Sequence, residues 1–219
     1  MRILEIGAAT GRYSHALARM GYRVDAVELL EHNIRIFREK TQPGENVTIR
    51  QRNAKDLSCF EDDAFDMTLL LGPMYHLFEE SDRRQALQEA VRVTKQGGVI
   101  FAAYCMIDAS VLCYGFARGE LQSLIRDNRI DLTDFTQIPH ELDFFHLCRR
   151  EEIDALRSGL GVTQLHFAAA EGYAKHMEAA LNEMDGQTYE LFLRYHLATC
   201  ERPDMVGISH HTLDIFRKD

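Results

Sequence analysis

Long apolar runs are absent from this sequence of 219 residues, and its N-terminus lacks a basic segment followed by an apolar one. A membrane-spanning helix needs about 20 consecutive apolar residues, so we expect no membrane span. A secretory leader needs the basic-then-apolar pattern, so we expect no leader and predict a cytoplasmic protein. With 46% hydrophobic and 27% charged residues, residues 1–219 are expected to form a single domain with one sizeable core.

Closely spaced cysteine pairs and an excess of positive charge are also absent. The five cysteines stand singly, at Cys59, Cys105, Cys113, Cys148 and Cys200. An odd number without a Cys-x-x-Cys pattern indicates buried thiols in a reducing compartment rather than a disulfide framework. The net charge of −9 argues against a nucleic-acid partner, because such a partner requires clustered Lys and Arg.

Apolar segments of strand length alternate with helical patterns over the first hundred residues. The predicted strands are 3–6, 22–27, 47–50, 65–71 and 98–104. Most are apolar on both faces, as expected for parallel strands covered by helices. We therefore predict an α/β fold with a doubly wound, Rossmann-like parallel sheet and right-handed crossovers.

Three helical patterns separate these strands. Gly21 is the expected C-terminal cap of the first helix, and Ser81 the expected N-cap of the third. The predicted buried faces are Tyr13, Ala16, Leu17 and Met20; then Leu30, Ile34 and Phe37; and then Leu87, Ala90, Val91 and Val93.

The strand–helix alternation breaks after residue 104. Short helices and loops are predicted over 108–147, followed by a helix over 150–158, a strand over 162–168, helices over 171–199 and a last strand over 210–216. We interpret 1–104 as a cofactor-binding half. Two helical insertions, 105–148 and 171–207, are expected to cap a substrate site at the carboxyl edge of the sheet.

The loop Glu5-Ile6-Gly7-Ala8-Ala9-Thr10-Gly11 joins the first strand to the first helix. Glycines permit a sharp turn, and the helix start directs N–H groups and a positive dipole end at a ligand. Glu5 would repel a pyrophosphate. A ligand with an amino-acid end could place its carboxylate at the N–H groups and its ammonium near Glu5, so we expect an aminoacyl nucleoside here.

Further polar groups follow the next strands. Glu28 ends the second strand, where a carboxylate can accept hydrogen bonds from both hydroxyls of a ribose. Leu29 could cover a purine face, and Asn53 with the backbone of Ala54 could meet an adenine edge. The fourth strand leads into the segment 71–76, where the group to be transferred is expected.

Together these segments resemble class I S-adenosylmethionine-dependent methyltransferases of the bacterial small-molecule type. The matching segments are LEIGAATGRYS, VDAVEL, RNAKDL, FDMTLLLGPMYHL and RVTKQGGVIFAAY, and the C-terminal GISHHTLDIF resembles the family's last strand. The resemblance implies S-adenosylmethionine as cofactor and a seven-stranded sheet of order 3-2-1-4-5-7-6 with strand 7 antiparallel. Helical insertions would follow strand 5 and separate strands 6 and 7.

The resemblance also implies a set of cofactor-binding residues. It assigns the methionine part to the loop after strand one, the ribose to Glu28, the adenine to the segments after strands two and three, and the sulfonium region to the end of strand four. The full set is Glu5, Gly7, Ala8, Ala9, Gly11, Glu28, Leu29, Asn53, Ala54, Leu71 and Gly72. Ala9 replaces the family's middle glycine, a change that is tolerable if this position keeps a negative φ. Family members carry helices before strand one, so we expect either an upstream segment or a pocket open on one side.

Tyr75, His76 and His211 are the predicted catalytic residues. Tyr75 could contact the sulfonium through its oxygen or ring, and His76 could accept a proton; both could instead only pack their loop. His211 begins the last strand and is a further acid or base. His196, Cys200 and the pair His210-His211 have the spacing of zinc ligands, but we predict ordinary side chains and no metal.

The sequence therefore predicts a methyltransferase that acts on a small molecule by in-line displacement, with homodimer formation through an apolar sheet face as a further expectation. Two alternatives stay open: a protein that binds S-adenosylmethionine or S-adenosylhomocysteine without turnover, and a methyltransferase acting on RNA or protein. Glu5 and the Gly-x-x-x-Gly spacing argue against a nicotinamide oxidoreductase.

Overall fold

The computed structural model describes residues 1–141 and 143–219. Its first part alternates strands and helices, as predicted. The elements are β1 (Arg2–Ile6), α1 (Arg12–Arg19), β2 (Arg23–Glu28), α2 (Glu31–Lys40), β3 (Val47–Gln51), β4 (Phe65–Leu70), a 3₁₀-helix (Pro73–Tyr75), α3 (Glu80–Val93) and β5 (Thr94–Met106).

Short elements dominate the rest of the chain. They are α4 (Ile107–Ser110), a π-helix (Val111–Ala117), α5 (Leu121–Arg126), β6 (Leu147–Cys148), α6 (Arg150–Arg157), β7 (Val162–Ala169), a 3₁₀-helix (Ala174–Met177), α7 (Glu178–Asn182), α8 (Gly186–Thr199), α9 (Pro203–Val206) and β8 (His211–Lys218). The predicted helices over 171–199 are thus a 3₁₀-helix, α7 and α8.

The sheet has the order β3-β2-β1-β4-β5-β8-β7, which confirms the predicted topology. The pairs from β3 to β5 are all parallel. The last strand is antiparallel to β7, since the N–H of Ala170 donates to the carbonyl of His211 and that of Asp219 donates to the carbonyl of Gly161. One strand was not predicted: β6, two residues long, pairs with β5.

The chain divides into two compact units. Unit 1 comprises residues 1–103, 154–165 and 215–219, and unit 2 comprises residues 104–153 and 166–214. In unit 1, β1 lies between β2 and β4, and its Ile3, Leu4 and Ile6 are fully buried. Helices cover both faces of a parallel sheet, which is why this strand is apolar on both faces.

The predicted buried face of α1 is wrong in part. Tyr13 is 51% exposed and Met20 is 71% exposed, whereas Ser14, His15 and Ala18 are buried. Polar contacts determine this orientation: the Ser14 hydroxyl donates to Glu5, and the His15 ring lies 2.7 Å from the Glu45 carboxylate. Hydrophobic periodicity alone does not report such bonds.

The predictions for α2 and α3 are mostly confirmed. Ile34 and Phe37 are buried, but Leu30 is exposed because it precedes α2 as its N-cap. All four predicted apolar residues of α3 are buried. Ser81 is not the N-cap of this helix; Glu79 is, and its side chain makes no cap bond.

The fifth strand begins at Thr94 rather than at residue 98. Thr94 pairs with Phe65, while Met67 pairs with Val99, so a register irregularity between these pairs absorbs the extra residues. The Thr94 hydroxyl donates to the carbonyl of Ala90 at 2.6 Å, which joins the end of α3 directly to the strand. Gly97 and Gly98 therefore lie within β5.

Unit 2 has its own small apolar cluster of Ile107, Val111 and Ile130. Arg149 strengthens this unit by donating to both Asp108 oxygens, at 2.9 and 3.1 Å. In α8, the Asp185 side chain accepts the N–H of Thr188 at 2.8 Å and so caps the helix start. Over the described residues, no helix is both long and apolar enough to cross a membrane.

Candidate functional site

A cavity of about 550 Å³ lies in unit 1, where the carboxyl ends of the parallel strands meet. Pockets of roughly 300–1,000 Å³ hold small ligands and cofactors. All the predicted site residues except Gly11 and His211 line it. The sequence reasoning missed Arg12, Tyr13, Asn33 and Arg52, which also contribute to the lining.

Gly7 and Gly11 are required by the shape of the loop after β1. Gly7 has a φ of +75°, and a Cβ there would lie 2.7 Å from Pro73 Cδ, so a larger residue would push the loop from the segment after β4. Gly11, with a φ of +86°, precedes α1 and packs against His15 and Phe37. Gly11 therefore turns the backbone into α1.

The backbone of Ala9 does not have a negative φ. Its φ is +46°, in the left-handed region, which costs an L-residue other than glycine roughly 1–2 kcal/mol. In this conformation its N–H donates to Glu28 Oε2 at 2.9 Å. The left-handed conformation at Ala9 thus accompanies a hydrogen bond that ties the loop to Glu28.

Glu28 is held by three hydrogen bonds at the tip of β2. Besides the N–H of Ala9, it accepts the N–H of Leu30 at 3.0 Å and the side-chain amide of Asn33 at 3.2 Å, both on Oε1. A carboxylate can accept about four such bonds. The buried Glu28 carboxylate is therefore fixed in orientation and keeps acceptor capacity toward the cavity.

Glu5 is a second buried carboxylate in the lining of the same cavity. Burial raises its pKa to about 7, although the Ser14 hydroxyl bonds to it and lowers the pKa; the charge of Glu28 raises it further. A positively charged group in the cavity would favour the ionised form of Glu5. The two carboxylates thus suit a cationic ligand and disfavour a pyrophosphate.

The start of α1 offers the complementary charge. Gly11 precedes the helix without a side-chain cap, and the first turn contains no acidic residue. The first N–H groups of a helix have no partners within it, and the dipole favours an anion there. A carboxylate and an ammonium on one ligand therefore match the helix start and Glu5.

Apolar side chains and a fixed turn form the part of the cavity after β2 and β3. Leu29 and Leu30 line it although both side chains are more than half exposed. The Asn53 side-chain oxygen accepts the N–H of Lys55 at 3.0 Å, which fixes the turn before Ala54. A flat aromatic group such as a purine could cover these leucines.

Tyr75 and His76 lie in the segment after β4, and both line the cavity. The Tyr75 hydroxyl donates to the carbonyl of Leu71 at 2.9 Å. The two rings are 5.0 Å apart and tilted against each other. With its proton committed to Leu71, the Tyr75 oxygen presents lone pairs to a ligand.

His211 belongs to unit 2 and lies 2.9 Å from Glu171 through its Nδ1. Hydrogen bonds with Cys105 and with Glu171 raise the pKa of His211 to about 10, so it is protonated at neutral pH and can donate a proton before it can accept one. His196 bonds to the carbonyl of Ala170 at 3.2 Å. Within the described ranges, no group of three or more His, Cys, Asp or Glu side chains could hold a metal ion.

Part of this chain is similar in sequence to known methyltransferases. Residues 3–98 match a family described as a methyltransferase domain. The demethylmenaquinone methyltransferase of Clavibacter sepedonicus is 34% identical over 99 residues, covering 45% of this chain and 39% of that protein. The ubiquinone biosynthesis O-methyltransferase of Caulobacter vibrioides is 27% identical over 104 residues, covering 47% and 40%. The match thus spans about two fifths of the length of these curated relatives.

A solved S-adenosylmethionine-dependent methyltransferase from Methanosarcina mazei shares the fold, with a TM-score of 0.65 and 19% identity over 99% of this chain and 92% of that one. Residues 3–98 thus match a methyltransferase domain, and the fold of the chain is that of an S-adenosylmethionine-dependent methyltransferase of known structure.

Proposed function

We propose that the protein transfers a methyl group from S-adenosylmethionine to a small organic acceptor. The observation that carries this proposal is one cavity that joins two buried carboxylates, Glu5 and Glu28, to the uncapped start of α1. The two curated relatives are named for quinone biosynthesis, so quinol precursors are the first acceptor class to test.

Each part of the cofactor has a proposed partner in the cavity. Glu5 takes the ammonium, and the first N–H groups of α1 take the carboxylate. Glu28 accepts hydrogen bonds from the ribose hydroxyls, and a charge-assisted bond of this kind contributes roughly 1.5–3 kcal/mol. Leu29 and the turn at Asn53-Ala54 border the adenine, and Leu71-Gly72 border the sulfonium.

When bound, S-adenosylmethionine supplies an electrophilic methyl group, so the protein mainly orients the acceptor. Tyr75 is proposed to face the positive sulfur with its ring and lone pairs. His76 is proposed to accept the proton of an acceptor hydroxyl. No part in the transfer is proposed for His211, which belongs to unit 2 and does not line the cavity. A cytoplasmic location and homodimer formation stay predictions.

Methyl transfer can be tested directly with S-adenosylmethionine carrying a labelled methyl group and a panel of quinols that lack one methyl. We expect label in one acceptor and an equal amount of S-adenosylhomocysteine. The variant His76→Gln should lower the rate at least tenfold with unchanged cofactor affinity, whereas His32→Gln, on the exposed side of α2, should not. Cofactor binding without transfer to any phenolic, amino or RNA acceptor would support the non-catalytic alternative.

A further inference from the structure

Cys105, His211 and Glu171 form a cluster in unit 2 that the proposed methyl transfer does not use. The N–H of Met106 donates to the carbonyl of His210 at 2.8 Å. In antiparallel strands, this bond places the preceding residue of β5, Cys105, directly opposite His211, the first residue of β8. Side chains of such a pair lie on the same face and within contact distance.

The ring of His211 is fixed from its other side. Glu171 Oε1 is 2.9 Å from His211 Nδ1 and also accepts the backbone N–H of His211 at 3.1 Å. The Ser209 hydroxyl donates to the carbonyl of His211 at 2.6 Å and accepts the N–H of Gly172 at 3.0 Å. The loop after β7 therefore holds the carboxylate and the imidazole in one arrangement.

Charge in this cluster favours a protonated imidazole beside the thiol. The hydrogen bond with Cys105 is the largest cause of the raised pKa of His211, followed by the bond with Glu171. The neighbouring His210 is buried, and burial lowers its pKa to about 4, so it carries no charge at neutral pH. A cation next to a cysteine stabilises the thiolate, which is the nucleophilic form.

We propose that Cys105 is a nucleophilic thiol with His211 as its paired cation and proton donor and Glu171 as the orienting group, and that it adds to small α,β-unsaturated carbonyl compounds. A cysteine in hydrogen-bond contact with a protonated histidine, and a third group that orients the histidine, are the parts that activate a thiol for covalent chemistry. Conjugate addition needs a sulfur nucleophile and a nearby proton donor, and Cys105 and protonated His211 are the groups that would supply them.

The addition requires no oxidant and no metal, and it releases no leaving group. His211 already holds the proton, and the thiolate sulfur of Cys105, paired with this cation, forms a bond to the β-carbon of the electrophile. The electrons of the carbon–carbon double bond move toward the carbonyl. The α-carbon then takes the proton from His211, so that the thiol as a whole has added across the double bond.

N-ethylmaleimide, an α,β-unsaturated imide, tests the proposal on the folded chain of residues 1–219. Peptide mass spectrometry would follow the modification rate of each cysteine. Cys113 is the internal control, because it is a buried cysteine in the same unit with the same 5% exposure as Cys105. We expect Cys105 to react at least ten times faster than Cys113, and all five cysteines to react alike in concentrated urea.

Variants separate activation from mere exposure. Glu171→Gln and His211→Gln should each slow Cys105 at least fivefold, whereas Glu183→Gln, an exposed position in the same unit, should leave it unchanged. If circular dichroism shows that His211→Gln has not folded, the modification rate of Cys105 in Glu171→Gln tests the proposal instead. The proposal would be overturned if Cys105 were modified no faster than Cys113. It would also be overturned if Glu171→Gln left the modification rate of Cys105 unchanged.

Discussion

The backbone N–H of Ala9 donates to the Glu28 carboxylate across 2.9 Å. This bond ties the loop after β1 to the tip of β2, and it presents Glu28 to the cavity in a fixed orientation. The bond requires a left-handed conformation at Ala9, with a φ of +46°. The loop after β1 is therefore strained at Ala9, because the Cβ of alanine disfavours the left-handed conformation.

Replacing Ala9 with glycine should relieve this strain. Glycine adopts positive φ without a Cβ penalty but loses more chain entropy on folding. We expect Ala9→Gly to raise the free energy of unfolding by roughly 0.5–1 kcal/mol, measured by urea denaturation. The control is Ala8→Gly, at a buried neighbour with no positive φ, which should destabilise. Equal destabilisation by both substitutions would contradict the strain at Ala9.

Asn33 should position Glu28 for the cofactor. Its side-chain amide donates to Glu28 Oε1 at 3.2 Å, so Asn33→Ala should weaken S-adenosylmethionine binding by about 1 kcal/mol, or roughly fivefold. Asn33→Asp should weaken it further, because two carboxylates would then face each other. Calorimetric titration measures both, with His32→Ala on the same helix as control. An unchanged dissociation constant in Asn33→Ala would exclude this positioning.

Glu5 should make the stability of the protein fall as pH rises from about 4.5 to about 7. Its pKa is about 7 in the folded protein and 4.5 ordinarily, so in this window the folded state binds more protons than the unfolded chain. Glu5→Gln cannot titrate. The stability of this variant relative to the unsubstituted protein should therefore rise with pH, by at most about 1.4 kcal/mol per pH unit.

Urea denaturation at pH 5, 6, 7 and 8 measures this difference. Glu39→Gln, at an exposed carboxylate of α2, should follow the pH dependence of the unsubstituted protein. Parallel curves for Glu5→Gln and the unsubstituted protein would show that Glu5 does not titrate in this range. Because the cofactor's ammonium needs an ionised Glu5, affinity for S-adenosylmethionine should also rise from pH 6 to 7.5, and should not do so in Glu5→Gln.

The apolar segments predicted the strands β1 to β4 to within about one residue at each end. The sheet order followed from a resemblance that covers five segments in register. The sequence did not predict which face of α1 is buried, since Ser14 is turned inward by one hydrogen bond to Glu5. Nor did it predict the conformation of Ala9, which depends on a carboxylate 19 residues away. Contacts between side chains distant in sequence leave no periodic signal.

Some of the cavity residues could have been found. Asn33 lies five positions after Glu28, the predicted ribose-binding carboxylate, in the first turn of α2. Arg12 and Tyr13 directly follow the glycine loop. Helical geometry places such residues near the same ligand. The cluster of Cys105, Glu171 and His211 could not have been found, because it depends on the register of β8 against β5 and on a loop after β7.

The most direct test of the cofactor site is calorimetric titration of the full chain with S-adenosylmethionine, S-adenosylhomocysteine and NAD, repeated with Glu28→Gln and with the control Glu39→Gln. We predict binding of both sulfur nucleosides, at least a tenfold loss of affinity in Glu28→Gln, no loss in Glu39→Gln and no binding of NAD. Binding of NAD alone, or equal affinity of Glu28→Gln and the unsubstituted protein for S-adenosylmethionine, would contradict the account.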